Sequence, residues 1–372
     1  MTSDAIARRA GARLTIDLDA IVANWRALAA RAAPAECSAV VKADAYGLGA
    51  VRVASALLAA GCKTFFVALL EEGIVLRAAL GPGPRIGVLN GTPPGTAPDF
   101  TAATLLPVIN TLGQLAEWRA EAARLGHPCS VALQVETGMS RFGLPAADVA
   151  AIASDPAFLA GLKVELLMSH LACADEPEHS ANEAQRAEFE RLRAILPAAP
   201  ASLANSSGIF LGKTYHHALV RPGAALYGIN PTPHLPNPMR QVVQLEARIV
   251  QLRTVDPGTG IGYSHAATAT RPTKLATLSI GYADGWPRSA STASAFADRC
   301  RLPFIGRVSM DSVIVDTTDC TAPLVEGDFA RLIDPEQTVD DIAALGGTIG
   351  YEILTRLGSR FDRRYISSGQ ST

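Results

Sequence analysis

Lys42 is the first residue in this sequence whose type and position suggest chemistry. It directly follows the apolar run 38–41, in the segment Val-Val-Lys-Ala-Asp-Ala-Tyr-Gly-Leu-Gly. A lysine at the carboxyl end of a buried parallel strand lies where barrel enzymes build their active sites, and burial lets it lose its proton and bond an aldehyde. A lysine that only extends its charge to the barrel rim fits the position equally well. Tyr46, Gly47 and Gly49 favour the first interpretation, because such a turn can contact a phosphate.

Four further polar segments follow predicted strands. The segments are 138–143, 169–175, 205–208 and 221–224, and their polar or turn residues include Arg141, His170, Asp175, Asn205, Ser206, Arg221, Gly223 and Ala224. Each has an ordinary explanation by itself, such as a core histidine or a surface arginine. Five polar clusters at one rim are harder to explain in that way. Those after the seventh and eighth strands lie where barrels usually bind phosphate through backbone N–H groups.

Glycine-rich turns with tyrosines mark the C-terminal third. They are 262–263, 281–285, 307–311 and 349–352, and they contain Tyr263, Tyr282, Arg307, Met310, Asp311 and Tyr351. By composition alone, loops and a small satellite core explain these turns better than a site does.

Short apolar runs and amphipathic segments alternate along the first two-thirds of the chain. Eight runs rich in Val, Ile and Leu are predicted strands: 38–41, 64–68, 86–89, 105–109, 130–135, 164–169, 201–204 and 219–221. They lack polar alternation, as strands buried on both faces do. Helices are predicted at 50–60, 71–80, 112–125 and 183–196. Eight such repeats favour an α/β fold with a closed (β/α)8 barrel of the TIM type over an open doubly wound sheet.

The pattern changes after a linker at 231–239, which contains four prolines. Strands are predicted at 242–255, 274–280, 304–315 and 329–333, and helices at 339–345 and 351–357. We therefore expect a barrel over 13–235 and a mainly-β domain over 240–372. The first strand, 13–18, precedes the first barrel helix, and we expect it to pair with the β-domain.

The composition excludes several classes of protein. The chain has 372 residues, a net charge of −2 and no basic stripe, so a nucleic-acid partner is not expected. The six cysteines are scattered without metal-ligand or disulfide spacing, which indicates a reducing compartment and no metal site. The N-terminus does not have the pattern of a signal peptide, and the apolar run 65–70 is too short to span a bilayer. We expect a cytoplasmic protein.

These motifs together resemble the alanine racemases, from residue 13 to residue 365. The resemblance is carried by the segment around Lys42, by His-Leu-Ala-Cys-Ala-Asp at 170–175, by Arg-Pro-Gly at 221–223, by Gly-Tyr-Ala-Asp-Gly-Trp at 281–286 and by Met-Asp at 310–311. It implies a barrel that binds pyridoxal 5′-phosphate, joined to a β-domain. It also implies a head-to-tail homodimer whose active sites combine residues of both subunits.

The resemblance assigns roles residue by residue. Lys42 matches the lysine that bonds the cofactor covalently, and Arg221 matches the arginine at the pyridine nitrogen. His170 matches the residue beside the cofactor ring that hydrogen-bonds the catalytic tyrosine, and Tyr263 is similar to that tyrosine, contributed by the partner subunit. The other cofactor-binding positions are matched by Tyr46, Asn205, Ser206, Gly223, Ala224 and Tyr351. Arg141, Met310 and Asp311 match substrate-binding positions, and the access corridor is matched by Asp175, Tyr282, Arg288 and Arg307.

These roles are chemically consistent with one another. An arginine at the pyridine nitrogen disfavours a proton there, which weakens the electron sink and favours rapid reprotonation of Cα over transamination. Racemisation takes a proton from one face of Cα and returns one on the other. Lys42 would serve one face. Tyr263 would serve the other if cationic neighbours, for which His170 and Arg221 are the candidates, lower its pKa from about 10.

Two regions depart from the family pattern. Many members have a lysine that can be carbamylated where this chain has Gln134, and an aspartate where it has Glu136. Gln134 cannot carry a carbamate, so Arg141 must be positioned in another way. A second tyrosine that often follows the catalytic one is Ala267 here, which affects packing near the corridor and not the chemistry.

The expected function is reversible interconversion of L- and D-alanine, for peptidoglycan or for alanine catabolism. A serine or broad-spectrum racemase with the same machinery is the nearest alternative, and the size of the side-chain pocket would separate the two. A related barrel decarboxylase would need a thiol acid opposite the cofactor, and Tyr263 argues against it. A non-catalytic cofactor carrier would lack the β-domain.

Overall fold

A computed structural model describes residues 8–368, which divide into two units. The barrel unit contains 21–226 and 230–240, and the β unit contains 8–20, 227–229 and 241–368. The expected barrel with a C-terminal mainly-β domain is confirmed. Within the described residues, no helix is both long and apolar enough to cross a membrane.

Eight parallel strand positions form the barrel. The first strand position is split at Ser38 into two short strands, β2 (Glu36–Cys37) and β3 (Ala39–Val40). The other seven are β4 (Thr64–Val67), β5 (Arg85–Val88), β6 (Leu106–Ile109), β7 (Cys129–Gln134), β8 (Leu162–Met168), β9 (Ala201–Ser202) and β10 (Leu219–Val220). Strands β3 to β9 pair in sequence order. The ring closes because β10 pairs with β2, while the N–H of Ala218 donates to the carbonyl of Ala201. All eight predicted strands are confirmed to within a few residues.

Large side chains fill the barrel interior. Val40, Phe66, Val108, Leu166 and Leu219, each from a different strand, are buried in one cluster, so the barrel is a packed core and not a pore.

One barrel helix precedes β2, and the others follow strands β3 to β8 in turn. The helices are α1 (Leu18–Ala32), α2 (Ala50–Ala59), α3 (Leu70–Leu80), α4 (Ala97–Ala102), α5 (Leu112–Leu125), α6 (Ala146–Ser154) and α7 (Ser180–Arg193). The four predicted helices are confirmed, and α7 starts three residues earlier than predicted because the ring of His179 accepts a hydrogen bond from the N–H of Ala181. After β9 and β10 the described chain forms short 3-10 turns instead, Ser207–Phe210 and Ala224–Tyr227.

The β unit is built around a long bent strand. Its elements are β1 (Ala12–Asp17), β11 (Val243–Val255), β12 (Gly260–Ile261), β13 (Ala267–Thr268), β14 (Thr273–Leu278), β15 (Ser294–Ala297), β16 (Cys300–Pro303), β17 (Val313–Asp316), β18 (Phe329–Ile333), α8 (Val339–Gly346), α9 (Gly350–Arg356) and β19 (Asp362–Ile366). The first half of β11 pairs with β1 and β18, and the second half pairs with β14 after a bulge at 249–251. As expected, β1 pairs within this unit, antiparallel to β11 and parallel to β19.

One predicted strand of the β unit is wrong. The segment 304–315 is not a single strand but a hairpin, in which Phe304 pairs with Val315 and the N–H of Ile305 donates to the carbonyl of Ile314. The chain reverses between these arms, where the N–H of Ser309 donates to the carbonyl of Ser312. Gly306, at the start of the connection, adopts a φ of +79°, a conformation that glycine tolerates readily. The segment that carries Met310 is therefore a turn.

Candidate active site

Lys42 begins a left-handed turn at the carboxyl end of β3. The four residues Ala43 to Tyr46 have φ between 52° and 56° and ψ between 37° and 50°, although none of them is glycine. Such residues cost about 1–2 kcal/mol each in this conformation, and strain of this kind is concentrated at functional sites. The turn closes through a 2.8 Å hydrogen bond from the N–H of Gly49 to the carbonyl of Asp44.

The surroundings of Lys42 favour its neutral amine. Burial lowers the pKa of Lys42, the positive charge of Arg141 lowers it further, and the negative charge of Glu72 opposes both. A neutral amine is the form that can attack a carbonyl carbon or accept a proton. The predicted chemistry of Lys42 is therefore compatible with its environment.

Arg221 lies in the barrel as a buried cation with neutral neighbours. Its guanidinium donates to the hydroxyl of Ser202, to the carbonyl of Ser169 and, at 3.4 Å, to Nδ1 of His170. No carboxylate of the described residues forms an ion pair with it, and burial lowers its pKa to about 10. Leaving a charge buried without a partner is costly, so this guanidinium is well suited to an acceptor atom on a ligand.

The structure corrects one interpretation of His170. Desolvation, followed by the charges of Arg221, Arg141 and Lys42, lowers the pKa of His170 to about 3. The ring is therefore neutral near pH 7 and cannot be a cationic neighbour of a catalytic tyrosine. Of the two candidates for that effect, only Arg221 remains charged.

A small cradle lies beside the lysine-bearing turn. The hydroxyl of Ser206 accepts hydrogen bonds from the N–H groups of Gly223 (3.0 Å) and Ala225 (3.2 Å). A Cβ on Gly223 would lie 2.5 Å from the hydroxyl of Tyr46, so only glycine allows this close approach. Buried Ala224 starts the next 3-10 turn. The hydroxyls of Ser206 and Tyr46, close to the start of a 3-10 turn, suit a phosphate.

Asn205 has a structural role at the same rim. Its Oδ1 accepts a 2.8 Å hydrogen bond from the N–H of Gly208, which fixes the turn that carries Ser206. Asn205 therefore supports the predicted cofactor-binding residue next to it, and its own contact with a cofactor stays a prediction.

Arg141 is positioned by the fold of its loop. The carboxylate of Glu136 accepts hydrogen bonds from the N–H groups of Gly138, Met139 (2.7 Å) and Ser140 (2.9 Å). The loop is closed by the backbone pairing of residues 134 and 136 with Leu144. Gln134 is buried beneath the loop. In this chain the backbone-binding carboxylate at 136, and not a charge at 134, holds the arginine loop in shape.

A buried amide supports the barrel rim and was missed from sequence. Gln185 on α7 donates to the carbonyl of His170 (2.9 Å) and the hydroxyl of Thr137 (3.3 Å), and accepts from the N–H of Ala172. It thereby links the loops that carry Arg141 and His170. The signal for it is weak, because glutamine in a helix is usually exposed.

Tyr263 stands on an exposed turn of the β unit. It starts the 3-10 turn Tyr263–His265, and Ser264 has a left-handed φ of 57°. Arg307 reaches the hydroxyl of Ser264 at 3.4 Å, so the structure brings the predicted catalytic tyrosine near one predicted corridor residue. The side chain of Tyr263 is 69% exposed in the single chain.

Met310 and Asp311 are held by a network that sequence reasoning missed. Arg360 donates 2.7 Å hydrogen bonds to Asp284 and to Asp311, joining the turn at 281–285 to the turn at 309–311. The N–H of Ala283 also donates to the carbonyl of Met310. Both turns are predicted as site motifs, but their connection through an arginine far along the chain has no local signal.

Four more predicted residues lie in the two units. Tyr282 and Arg288 line a cavity of about 650 Å³ in the β unit, together with Trp286 and Arg356. Tyr351 is the second residue of α9 in that unit, and Asp175 is exposed in the barrel unit. Among the described residues, no cluster of His, Cys, Asp or Glu side chains is arranged to hold a metal ion.

The barrel residues fit pyridoxal 5′-phosphate. A lysine with a lowered pKa suits the aldehyde, and the buried guanidinium of Arg221 suits a ring nitrogen. The cradle of Ser206, Gly223 and Tyr46 suits the phosphate. Each of the three chemical groups of the cofactor therefore has a matching group in the barrel unit.

Comparison with known proteins agrees with this fit. The N-terminal domain of alanine racemase matches residues 16–231, and its C-terminal domain matches 242–365. A protein named "Alanine racemase, catabolic" from Mesorhizobium japonicum is 57% identical over 358 residues, which are 96% of this chain and 94% of that protein. An alanine racemase from Methylobacterium nodulans is 53% identical over 96% of both chains.

Solved structures show the same similarity. The alanine racemase of Bartonella henselae, which has covalently bound pyridoxal phosphate, superimposes with a TM-score of 0.92 at 42% identity, over 96% of this chain and 100% of that one. The biosynthetic alanine racemase of Pseudomonas aeruginosa gives 0.88 at 35% identity, also over 96% and 100%. The architecture is that of isomerases with a barrel and a mainly-β domain. The chain belongs to the alanine racemase family.

Proposed function

We propose that this protein interconverts L- and D-alanine with pyridoxal 5′-phosphate bound to Lys42, and that Lys42 and Tyr263 move the Cα proton on opposite faces. The observation that carries the proposal is the environment of Lys42. In a chain of this family, a lysine with a lowered pKa shares the barrel rim with a buried arginine and a phosphate-type cradle.

In this proposal the barrel residues bind and orient. Ser206, Tyr46 and the N–H groups near Gly223 hold the phosphate, and Arg221 keeps a proton off the ring nitrogen because its own charge repels one. The cofactor, when bound, withdraws electrons from the Cα–H bond of the attached amino acid and so makes that proton acidic. Arg141 pairs with the substrate carboxylate.

Proton transfer is the task of two side chains. Lys42, whose pKa is lowered by burial, can accept the proton from one face of Cα. The phenol of Tyr263 donates a proton on the other face. The phenolate that remains accepts a proton when the reaction runs in the opposite direction. Because the two groups stand on opposite faces, each enantiomer is deprotonated by one of them and formed with a proton from the other.

We further propose that Tyr263, Met310 and Asp311 act in the site of a second subunit. This is supported by the exposure of Tyr263 (69%) and Met310 (52%) in the single chain, since exposed large apolar side chains often mark association surfaces. A homodimer with shared sites would cover them.

The proposed location is the cytoplasm. All six cysteines are free thiols, which persist in reducing compartments. A reversible reaction would serve either the supply of D-alanine for peptidoglycan or the use of alanine as a nutrient. Of the relatives described above, one is named catabolic and one biosynthetic.

A direct assay tests the proposed reaction. The purified protein, loaded with pyridoxal 5′-phosphate, is incubated with L-alanine, and the enantiomers are separated by chiral chromatography. We expect D-alanine to form until both enantiomers are equal. A parallel incubation with L-serine separates an alanine racemase from a broad-spectrum one. A loaded protein that forms no D-alanine would contradict the proposal.

A further inference from the structure

Glu72, in the first turn of α3, contacts the backbone of the lysine-bearing turn. Its Oε1 accepts a 2.6 Å hydrogen bond from the N–H of Ala43, the residue after Lys42. Its Oε2 accepts from the N–H groups of Ala68 (2.8 Å) and Leu69 (3.1 Å), just before the helix. A single carboxylate therefore ties the start of α3 to the residue that follows the lysine.

The turn that receives this bond needs external support. Residues Ala43 to Tyr46 are left-handed without glycine, so their own backbone preferences oppose the conformation. At the far end of the turn, the carboxylate of Asp44 accepts a 2.7 Å hydrogen bond from the N–H of Ala50. Hydrogen bonds to a charged acceptor are stronger than neutral ones. The left-handed turn is thus held by a carboxylate at each end.

We propose that Glu72 is a positioning residue for Lys42, because its bond to the N–H of Ala43 holds the left-handed turn that directs Lys42 and places Tyr46. This inference rests on the proposed function, which gives Lys42 the cofactor. Glu72 touches neither the cofactor nor the substrate in this role. It acts through the backbone between Lys42 and Tyr46.

The charge of Glu72 has a separate effect on the amine, and the positioning role rests on the hydrogen bond to Ala43. The charge raises the pKa of Lys42 against the opposing effects of burial and of Arg141. Glu72 is also only partly exposed, so water screens its charge less than that of its exposed neighbour Glu71. The same carboxylate thus fixes the backbone beside the amine and compensates part of its charge.

Glu72→Gln is the variant that tests the proposal, and Glu71→Gln is its matched control. Glutamine keeps the shape of the side chain, but it has one acceptor oxygen, and its NH2 group would face an N–H donor. Glu71 lies in the same helical turn and is exposed, so its variant loses the same helix-terminal charge without touching Ala43.

Three quantities are measured on cofactor-free protein: the Kd for pyridoxal 5′-phosphate from visible absorbance, the rate of the borohydride-trappable link, and the melting temperature. We expect Glu72→Gln to weaken binding about tenfold or more, as the loss of a hydrogen bond to a charged group does. Glu71→Gln should change it by roughly twofold at most. A lower melting temperature with an unchanged Kd and rate would show that Glu72 only caps α3, and would overturn the proposal.

A rescue experiment separates the turn from the helix cap. Glycine adopts the left-handed conformation without penalty, so Ala43→Gly added to Glu72→Gln should recover most of the lost affinity. No recovery would contradict the role of the turn. Should Glu72→Gln fail to fold, Glu72→Asp keeps the charge but shortens the side chain, and it should weaken binding in the same direction. Unchanged binding in Glu72→Asp would also overturn the inference.

Failure of this inference differs from failure of the proposed function. If Lys42 does not bind the cofactor, Lys42→Ala keeps a reducible link. If only the role of Glu72 is wrong, Lys42→Ala loses the link while Glu72→Gln binds like the unaltered protein.

Discussion

The Nη2 atom of Arg221 lies 3.4 Å from the Nδ1 atom of His170. A guanidinium can only donate hydrogen bonds, so Nδ1 must accept, and the neutral ring carries its proton on Nε2. Because burial and the nearby cations lower the pKa of His170 to about 3, this neutral tautomer persists near pH 7. His170 therefore offers Nε2–H as a fixed donor. The positive ring expected from the sequence would carry a proton on both nitrogens, so the two nitrogens would not have had different roles.

Acid should destabilise the cofactor-free protein through His170. The folded state keeps the ring neutral down to a pKa of about 3, whereas the unfolded state takes up the proton near the ordinary value of 6.5. Between these pH values the unfolded state binds more protons than the folded state. This group therefore lowers the free energy of unfolding by about 1.4 kcal/mol for each unit by which the pH decreases. The free energy of unfolding, measured with urea across this pH range, should decrease less steeply with falling pH for His170→Asn.

The control for this measurement is His127→Asn, which alters an exposed histidine of the same unit. It should keep the slope of the unaltered protein. Equal slopes for the unaltered protein and His170→Asn would mean that His170 is not held neutral.

The barrel could be predicted because its strands carry their own signal. A run such as 65–67 is apolar on both faces, and the structure buries all of it. The β unit was harder to predict, because the two apolar arms of the hairpin at 304–315 resemble one long strand. The backbone pairing of the two arms distinguishes a hairpin from a strand, and this pairing forms only when the chain folds.

The site was predictable where a residue type coincided with a strand end, as for Lys42 and Arg221. The left-handed turn was not, since alanine and tyrosine have no local preference for that conformation. Glu72 and Arg360 were missed for another reason. The N–H of Ala43 that Glu72 binds lies 29 residues away, and the partners of Arg360 lie 76 and 49 residues away. Only folding brings these groups together.

Lys42→Ala should abolish both racemisation and the visible absorbance of the covalent cofactor link. Lys42 is the lysine that directly follows a barrel strand, whereas Lys63 precedes β4 and is exposed. Lys63→Ala is therefore the matched control and should keep both properties. Purified Lys42→Ala that retained a borohydride-reducible link would disprove the assignment.

Mixing two inactive variants should restore activity if sites are shared between subunits. Lys42→Ala lacks the barrel lysine and Tyr263→Phe lacks the phenol of the β unit. A hybrid dimer would contain one site with both groups intact and one with neither. Activity should also fall on dilution of the unaltered protein. No recovery after subunit exchange, verified by mass spectrometry, would argue that each chain completes its own site.

Arg360→Ala should loosen the turn that carries Met310 and Asp311. The change leaves the buried carboxylate of Asp284 without its ion-pair partner and frees Asp311. We expect the KM for alanine to rise roughly threefold to tenfold while the cofactor Kd stays unchanged. Arg364→Ala, which removes a comparable ion pair with Asp362, is the control. Equal effects of the two variants on KM would show a general loss of stability instead.

Proton exchange at Cα distinguishes two bases from one. Tyr263→Phe should keep the cofactor but slow racemisation in both directions by about 10²–10⁴-fold or more, the usual contribution of a general acid or base. Lys42 still reaches its own face of Cα. In deuterated water, one enantiomer of alanine should therefore exchange its α-proton much faster than it racemises, and the other should exchange poorly. Mass spectrometry after chiral separation measures both rates. Equal residual exchange from the two enantiomers would show that Tyr263 is not the second base, because removing a base that serves one face must leave the faces unequal.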